Sequence, residues 1–205
     1  MSVFLLEKNF QVISADDLLA KDKRPFVLYL RSFEFDSVAA INHKTPIAVT
    51  DAALGMAFQT VTAKTYEETL AKTFSVIDPC IAIGKPGLEL PIAGFSRKKL
   101  SMDDWQAEVK KFMRQAALII ICAGNTEGDL WELKQAKENV PLQRLLILIT
   151  QHTSDDWWKH AKEVFGQDLP KFIIYSEQPL HGLIYFDENG TPHDELIIPF
   201  LSTRQ

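Results

Sequence analysis

Residues Ala117 to Ala136 read ALIIICAGNTEGDLWELKQA. Leu118 to Cys122 is a short uninterrupted apolar run, the pattern of a strand buried on both faces of a sheet. Gly124, Asn125 and Thr126 make a polar turn, and a helix from about Asp129 to Asn139 follows with Glu132 in its first turn. This order sets one acid just past the carboxyl end of a strand, where open α/β sheets hold their ligands.

Working outward, PFVLYL (Pro25–Leu30) is a first strand that meets solvent at Arg31 and Ser32. Thr65 and Glu68 have capping-box spacing, and Tyr66, Leu70, Phe74 and Ile77 recur at helical spacing, so residues 65–77 predict an amphipathic helix that Pro79 ends. Cys80–Ile83 is a second strand closed by the Gly84-Lys85-Pro86-Gly87 turn. Ser101 and Asp104 cap a helix whose apolar stripe is Trp105, Val109, Phe112 and Ala116, and Leu118–Cys122 is strand three. Pro141 separates the Glu132 helix from a fourth strand, RLLILIT (Arg144–Thr150). A helix over Asp155–Gly166, a fifth strand over Lys171–Tyr175 and a hairpin of Leu183–Phe186 with Glu195–Ile198 complete the chain. Asn189-Gly190 reads as the hairpin turn rather than a glycosylation site. Alternating strands and helices imply an α/β fold with a mainly parallel five-stranded sheet covered on both faces.

The 205 residues, 46% of them apolar, suit one domain with a substantial core. A net charge of -5 without a basic run argues against nucleic acid as a partner. No apolar run reaches the length of a membrane span, and the Val3–Leu6 patch is too short for a signal peptide, so the expectation is a soluble cytoplasmic protein. Cys80 and Cys122 sit in apolar runs and read as packing residues. The five histidines show no metal-ligand spacing, no glycine-rich phosphate or dinucleotide fingerprint occurs, and Ser96-Arg97-Lys98-Lys99 lacks the partners of a nucleophile motif. Neither a metal nor a cofactor is expected.

In a parallel sheet the carboxyl ends share one edge, which brings Arg31-Ser32, Gly84-Lys85 and Asn125-Thr126 toward Glu132. Near a helix amino terminus the dipole favours an ionised Glu132, and an ionised carboxylate can hold ribose hydroxyls and stabilise positive charge at an anomeric carbon. The plain alternative for Glu132 is helix capping or solvent exposure. Arg31 either grips a phosphate or carboxylate or pairs with a neighbouring acid, and Lys85 either faces phosphates or is merely solvated. Arg97-Lys98-Lys99 either attracts an acidic ligand or is surface charge.

Four segments carry a resemblance: PFVLYLRSF (25–33), TYEETLAKTF (65–74), IAIGKPG (81–87) and the run from Asp103 to Ala136 that contains Trp131-Glu132-Leu133. Together they resemble a bacterial branch of the TIR-like superfamily, which is related in fold to nucleoside deoxyribosyltransferases. Gly124 and Asn125 stand where TIR domains carry a serine-rich loop. The resemblance implies a single TIR-like domain over residues 1–205, with an amino-terminal extension (1–24) and an unassigned insertion (34–64), folded as a flavodoxin-like three-layer sandwich with a carboxyl-terminal hairpin. It also implies cleavage of the nicotinamide–ribose bond of NAD or a related nucleotide, with Glu132 catalytic and NAD as substrate. Phe33 and Trp131 then stack on a nucleobase or nicotinamide ring, or pack in the core. Signalling, bacterial defence and self-association into a homo-oligomer are family expectations. Two alternatives share the same acid: a non-catalytic interaction or nucleotide-sensing module, and a deoxyribosyltransferase-like enzyme with Glu132 as nucleophile.

Overall fold

The computed structural model describes residues 14–31, 70–71, 73–75, 78–83, 95–101, 103–173 and 180–196. Four helices and seven strands are assigned names in chain order: α1 (Ala15–Lys21), β1 (Val27–Leu30), β2 (Cys80–Ile83), β3 (Ser96–Lys98), α2 (Trp105–Gln115), β4 (Leu118–Cys122), α3 (Glu127–Asn139), β5 (Leu145–Thr150), α4 (Asp155–Phe165), β6 (Leu180–Phe186) and β7 (Pro192–Leu196). The strands form one sheet in the order β3-β2-β1-β4-β5-β6-β7. The first five are mutually parallel, whereas β6 and β7 add antiparallel to β5 as a hairpin.

Every residue of β1 and β2 is buried, which is why these strands read as unbroken apolar runs. The strand period of two then divides β1 between two cores. Leu28 and Leu30 join Ile119, Ile121, Ile147 and Ile149 beneath α2, α3 and α4. Val27 and Tyr29 join Ile120, Cys122 and Leu148 on the other face, against Leu70, Ala71 and Phe95. Leu70 and Ala71 are helical, and Ser75 N–H donates to the Ala71 carbonyl at 2.9 Å, so part of the predicted 65–77 helix covers this second face. Helix, sheet and helix make three layers.

After β1 the chain builds outward through β2 and β3, then returns through α2 to lay β4 on the other side of β1. The direction of winding therefore reverses between β1 and β4, and their carboxyl ends, Leu30-Arg31 and Cys122 to Gly124, flank the switch point.

Three expectations change. Lys171–Phe172–Ile173 is not a strand, because β6 already takes the free edge of β5, and 174–175 lie outside the described residues. The short Ser96–Lys98 strand, absent from the sequence reading, lies at the opposite edge, where Lys98 pairs with Asp16 of α1. Asp104 is the N-cap of α2 but makes no side-chain cap bond; Ser101 Oγ only touches its carboxylate at 3.4 Å. Ala15 of α1 is fully buried, so the extension contributes to the core, while residues 1–13 and the 34–64 stretch lie outside the described residues. The hairpin turn is as expected: Gly190 has φ 77°, and Asp187 Oδ1 accepts from the Asn189 and Thr191 amides at 2.8 and 2.9 Å. Here β7 starts at Pro192 rather than Glu195.

Gly182 in β6 leaves no room for a side chain. A Cβ there meets the Phe172 ring at 2.1 Å and the Glu195 carbonyl oxygen at 2.7 Å, and the second of these is backbone in the paired strand. Gly182→Ala should therefore lower stability by about 1–3 kcal/mol, as overpacking does, read as an earlier midpoint in urea denaturation; an unchanged midpoint contradicts the close approach.

Candidate active site at the start of α3

The buried stripe of α3 follows the spacing 129, 132, 133, 136 and 140. Leu133, Ala136 and Val140 fill the core in the ordinary way, but the two positions nearest the switch point are acids, Asp129 and Glu132, only 5% and 6% exposed. An apolar pattern broken by two acids at the ligand-holding end of a sheet is where function overrides packing.

The turn between β4 and α3 is held by a capping box. Thr126 is the N-cap, its hydroxyl accepts from Asp129 N–H at 3.2 Å, and Asp129 Oδ2 accepts from Thr126 N–H at 3.1 Å. Gly124 admits this arrangement: a Cβ at Gly124 would lie 2.3 Å from Asp129 Oδ2. Asn125 ties the same turn to the loop after β5, donating to the His152 carbonyl at 3.2 Å and accepting from Ser154 Oγ at 2.9 Å. Asn125 and Thr126, expected to bind ligand, thus spend these side-chain hydrogen bonds on the turn itself.

Because α3 starts at Glu127, Glu132 belongs to its second turn and not its first. This overturns the expectation of a lowered pKa. The dipole acts within the first turn, where Asp129 sits, whereas Glu132 is pushed well above the usual carboxylate range by desolvation and then by the Asp129 charge. Among the described residues Glu132 has no hydrogen-bond or ion-pair partner. Gln135, also buried, differs: its amide donates to Glu138 at 3.2 Å and its oxygens accept from Asn139. For Glu132, desolvation and the neighbouring Asp129 charge are what act on the carboxyl.

Arg31 follows β1 directly and is half-buried at the other flank of the switch point. Trp131 turns toward α2, edge-on to Trp105 at 4.9 Å with Lys110 Nζ 5.6 Å from its ring centre, so it joins two helices. Ser32, Phe33, Gly84 and Lys85 lie outside the described residues. Tyr29 and Cys122 close the second face below the same strand ends: the Tyr29 hydroxyl is 3.2 Å from Cys122 Sγ, and its ring stacks on Phe95 at 4.4 Å. Both cysteines are buried and neither forms a disulfide, and burial raises the Cys80 thiol to about 12. No group of three His, Cys, Asp or Glu side chains among the described residues is arranged to hold a metal. Sequence reasoning missed Asp129 and the purpose of Gly124, although Thr126-x-x-Asp129 carries the capping-box spacing that reveals both.

An acid whose folded pKa exceeds its unfolded one makes the native state hold a proton that the unfolded chain has lost. Its contribution is fully present below the ordinary value of 4.5 and disappears as pH rises toward the folded value. Wild-type stability, followed by urea denaturation from about pH 4 to pH 8, should therefore fall relative to Glu132→Gln as pH rises. Parallel pH profiles for the two proteins contradict the buried, unanswered acid.

No protein-family model, curated protein or solved structure matches the chain.

Proposed function

We propose that the chain is a TIR-like nucleotide-processing protein that cleaves the N-glycosidic bond of NAD or a related nucleotide, with Glu132 as the catalytic acid. The observation that carries this reading is the pair of buried carboxyl groups on α3 beside the β1/β4 switch point, one of them without a partner among the described residues. A buried acid with a raised pKa at such a place marks a candidate reacting site. A flavodoxin-like layout belongs to the reading: with the short edge strand β3 set aside, β2-β1-β4-β5 runs in the 2-1-3-4 order of that fold, and the antiparallel β6 stands where its fifth strand lies. A cytoplasmic location also belongs to it, in keeping with two cysteines that form no disulfide.

The raised pKa of Glu132 fits the chemistry. At rest the carboxyl keeps its proton, which limits the cost of its burial. A ligand that brings a fixed positive charge, such as the pyridinium ring of NAD, restores the carboxylate by Coulombic attraction. Its proton passes to solvent as the ligand binds, and the ionised group can then hold the ribose hydroxyls and stabilise the oxocarbenium as the ribosyl–nitrogen bond breaks. The bonding electrons leave with nicotinamide, which becomes neutral, and water adds to the anomeric carbon with loss of a proton.

Purified protein incubated with NAD at high concentration, with and without a crowding agent, should release nicotinamide, and Glu132→Ala should lower the rate about a hundredfold or more. Crowding is included because self-association is part of the TIR-like reading. Absence of release in every condition contradicts hydrolysis. Thermal stabilisation by NAD without turnover would instead select the non-catalytic sensing module, and a covalent sugar adduct on Glu132 with a deoxynucleoside would select the transferase.

A further inference from the structure

We propose that Asp129 is a positioning residue that acts through Glu132, its carboxylate fixed against the β4–α3 turn so that both acids share one desolvated helical face. The inference deepens the reading above, since it rests on Glu132 being the reacting acid. Asp129 is three residues before Glu132, the spacing that puts two side chains side by side on a helix. Both are more than nine-tenths buried, so little water screens one from the other.

Asp129 cannot swing away. Thr126 N–H holds Oδ2 at 3.1 Å, the Thr126 hydroxyl holds the Asp129 amide at 3.2 Å, and the missing side chain at Gly124 leaves the volume the carboxylate occupies. Asp129 belongs to the first turn of α3, one turn before Glu132. The anchored Asp129 carboxyl therefore lies beside Glu132 on one buried face, the neighbour whose charge disfavours ionisation of Glu132 while the site is empty. The neighbouring helices carry further ionisable groups, Glu108, Lys110, Lys111 and Arg114 on α2 and Asp155, Asp156, Lys159, His160, Lys162 and Glu163 on α4, and Arg31 follows β1; Lys110 is engaged with the Trp131 ring. Among the described residues, Asp129 is the charge that acts on Glu132.

A purely structural Asp129 would be a cap and nothing more, and two variants separate the roles. Asp129→Asn removes the charge but keeps a carbonyl acceptor for Thr126 N–H; Thr126→Ala breaks the cap but keeps the charge. The readout is the carboxyl carbon of Glu132, followed by NMR against pH in the ligand-free, full-length protein, with Glu132→Gln identifying the resonance. The Glu132 midpoint should lie well above the ordinary range in wild type, fall by about one pH unit or more in Asp129→Asn, and stay high in Thr126→Ala. An unmoved midpoint in Asp129→Asn, or an equal fall in both variants, overturns the proposal. Should a variant unfold, Gly124→Ala, which displaces the Asp129 carboxylate without changing any charge, must lower the midpoint in the same sense or the proposal fails. Since no substrate is added, this outcome is independent of whether the protein cleaves NAD.

Discussion

The parallel pairing of β1 with β4 is the constraint on which the molecule depends. Val27 to Leu30 lies in register with Leu118 to Ile121, and both strands are buried on two faces, so this pair forms the seam between the two cores. The chain must leave β1 toward one edge of the sheet and return to place β4 on its other side. That reversal makes the ends of β1 and β4 the switch point of the sheet. Everything that gives the chain a candidate site, including the Gly124–Thr126 turn and the start of α3, hangs from the end of β4.

The buried stripe of α3 departs from plain core packing at its first two positions. Leu133, Ala136 and Val140 show that the stripe is built to fill a core. Filling its first two positions with apolar side chains would cost nothing in packing, whereas a buried carboxyl with no hydrogen-bond partner costs about 1–3 kcal/mol even when neutral. Asp129 recovers part of its cost through the capping box, and Glu132 recovers none from the described residues. Stability given up at one position beside a switch point is the ordinary mark of a site kept for a ligand. The same desolvation that penalises the empty site strengthens any charge brought into it.

How much of this was legible in the sequence varies by element. Strands β1, β2, β4 and β5 were readable because burial on both faces leaves continuous apolar runs, and α4 because its stripe of Trp157, Ala161 and Phe165 is one-sided. The Ser96–Lys98 strand was not, since three polar residues on an edge carry no burial signal and are fixed by pairing with β2. Lys171–Tyr175 has the composition of a strand, yet its described part, Lys171–Ile173, is not one, and β6 pairs with β5, a choice between distant segments that local pattern does not contain. Glu132 was found by its place after a strand, but its charge state was misread because the helix begins two residues earlier than its apolar periodicity indicates. Desolvation is a tertiary property and appears only once the stripe is seen to face the core.

In the proposed function, the buried acid on the second turn of α3 receives a ribosyl group between the ends of β1 and β4. A crystal structure of Glu132→Gln soaked with NAD tests this most directly, because the variant keeps the shape of the side chain while slowing cleavage. The account predicts ribose hydroxyls within hydrogen-bonding distance of residue 132, beside Arg31 and the β4–α3 turn. Ribose bound elsewhere on the molecule, with residue 132 still enclosed by the core, would contradict it.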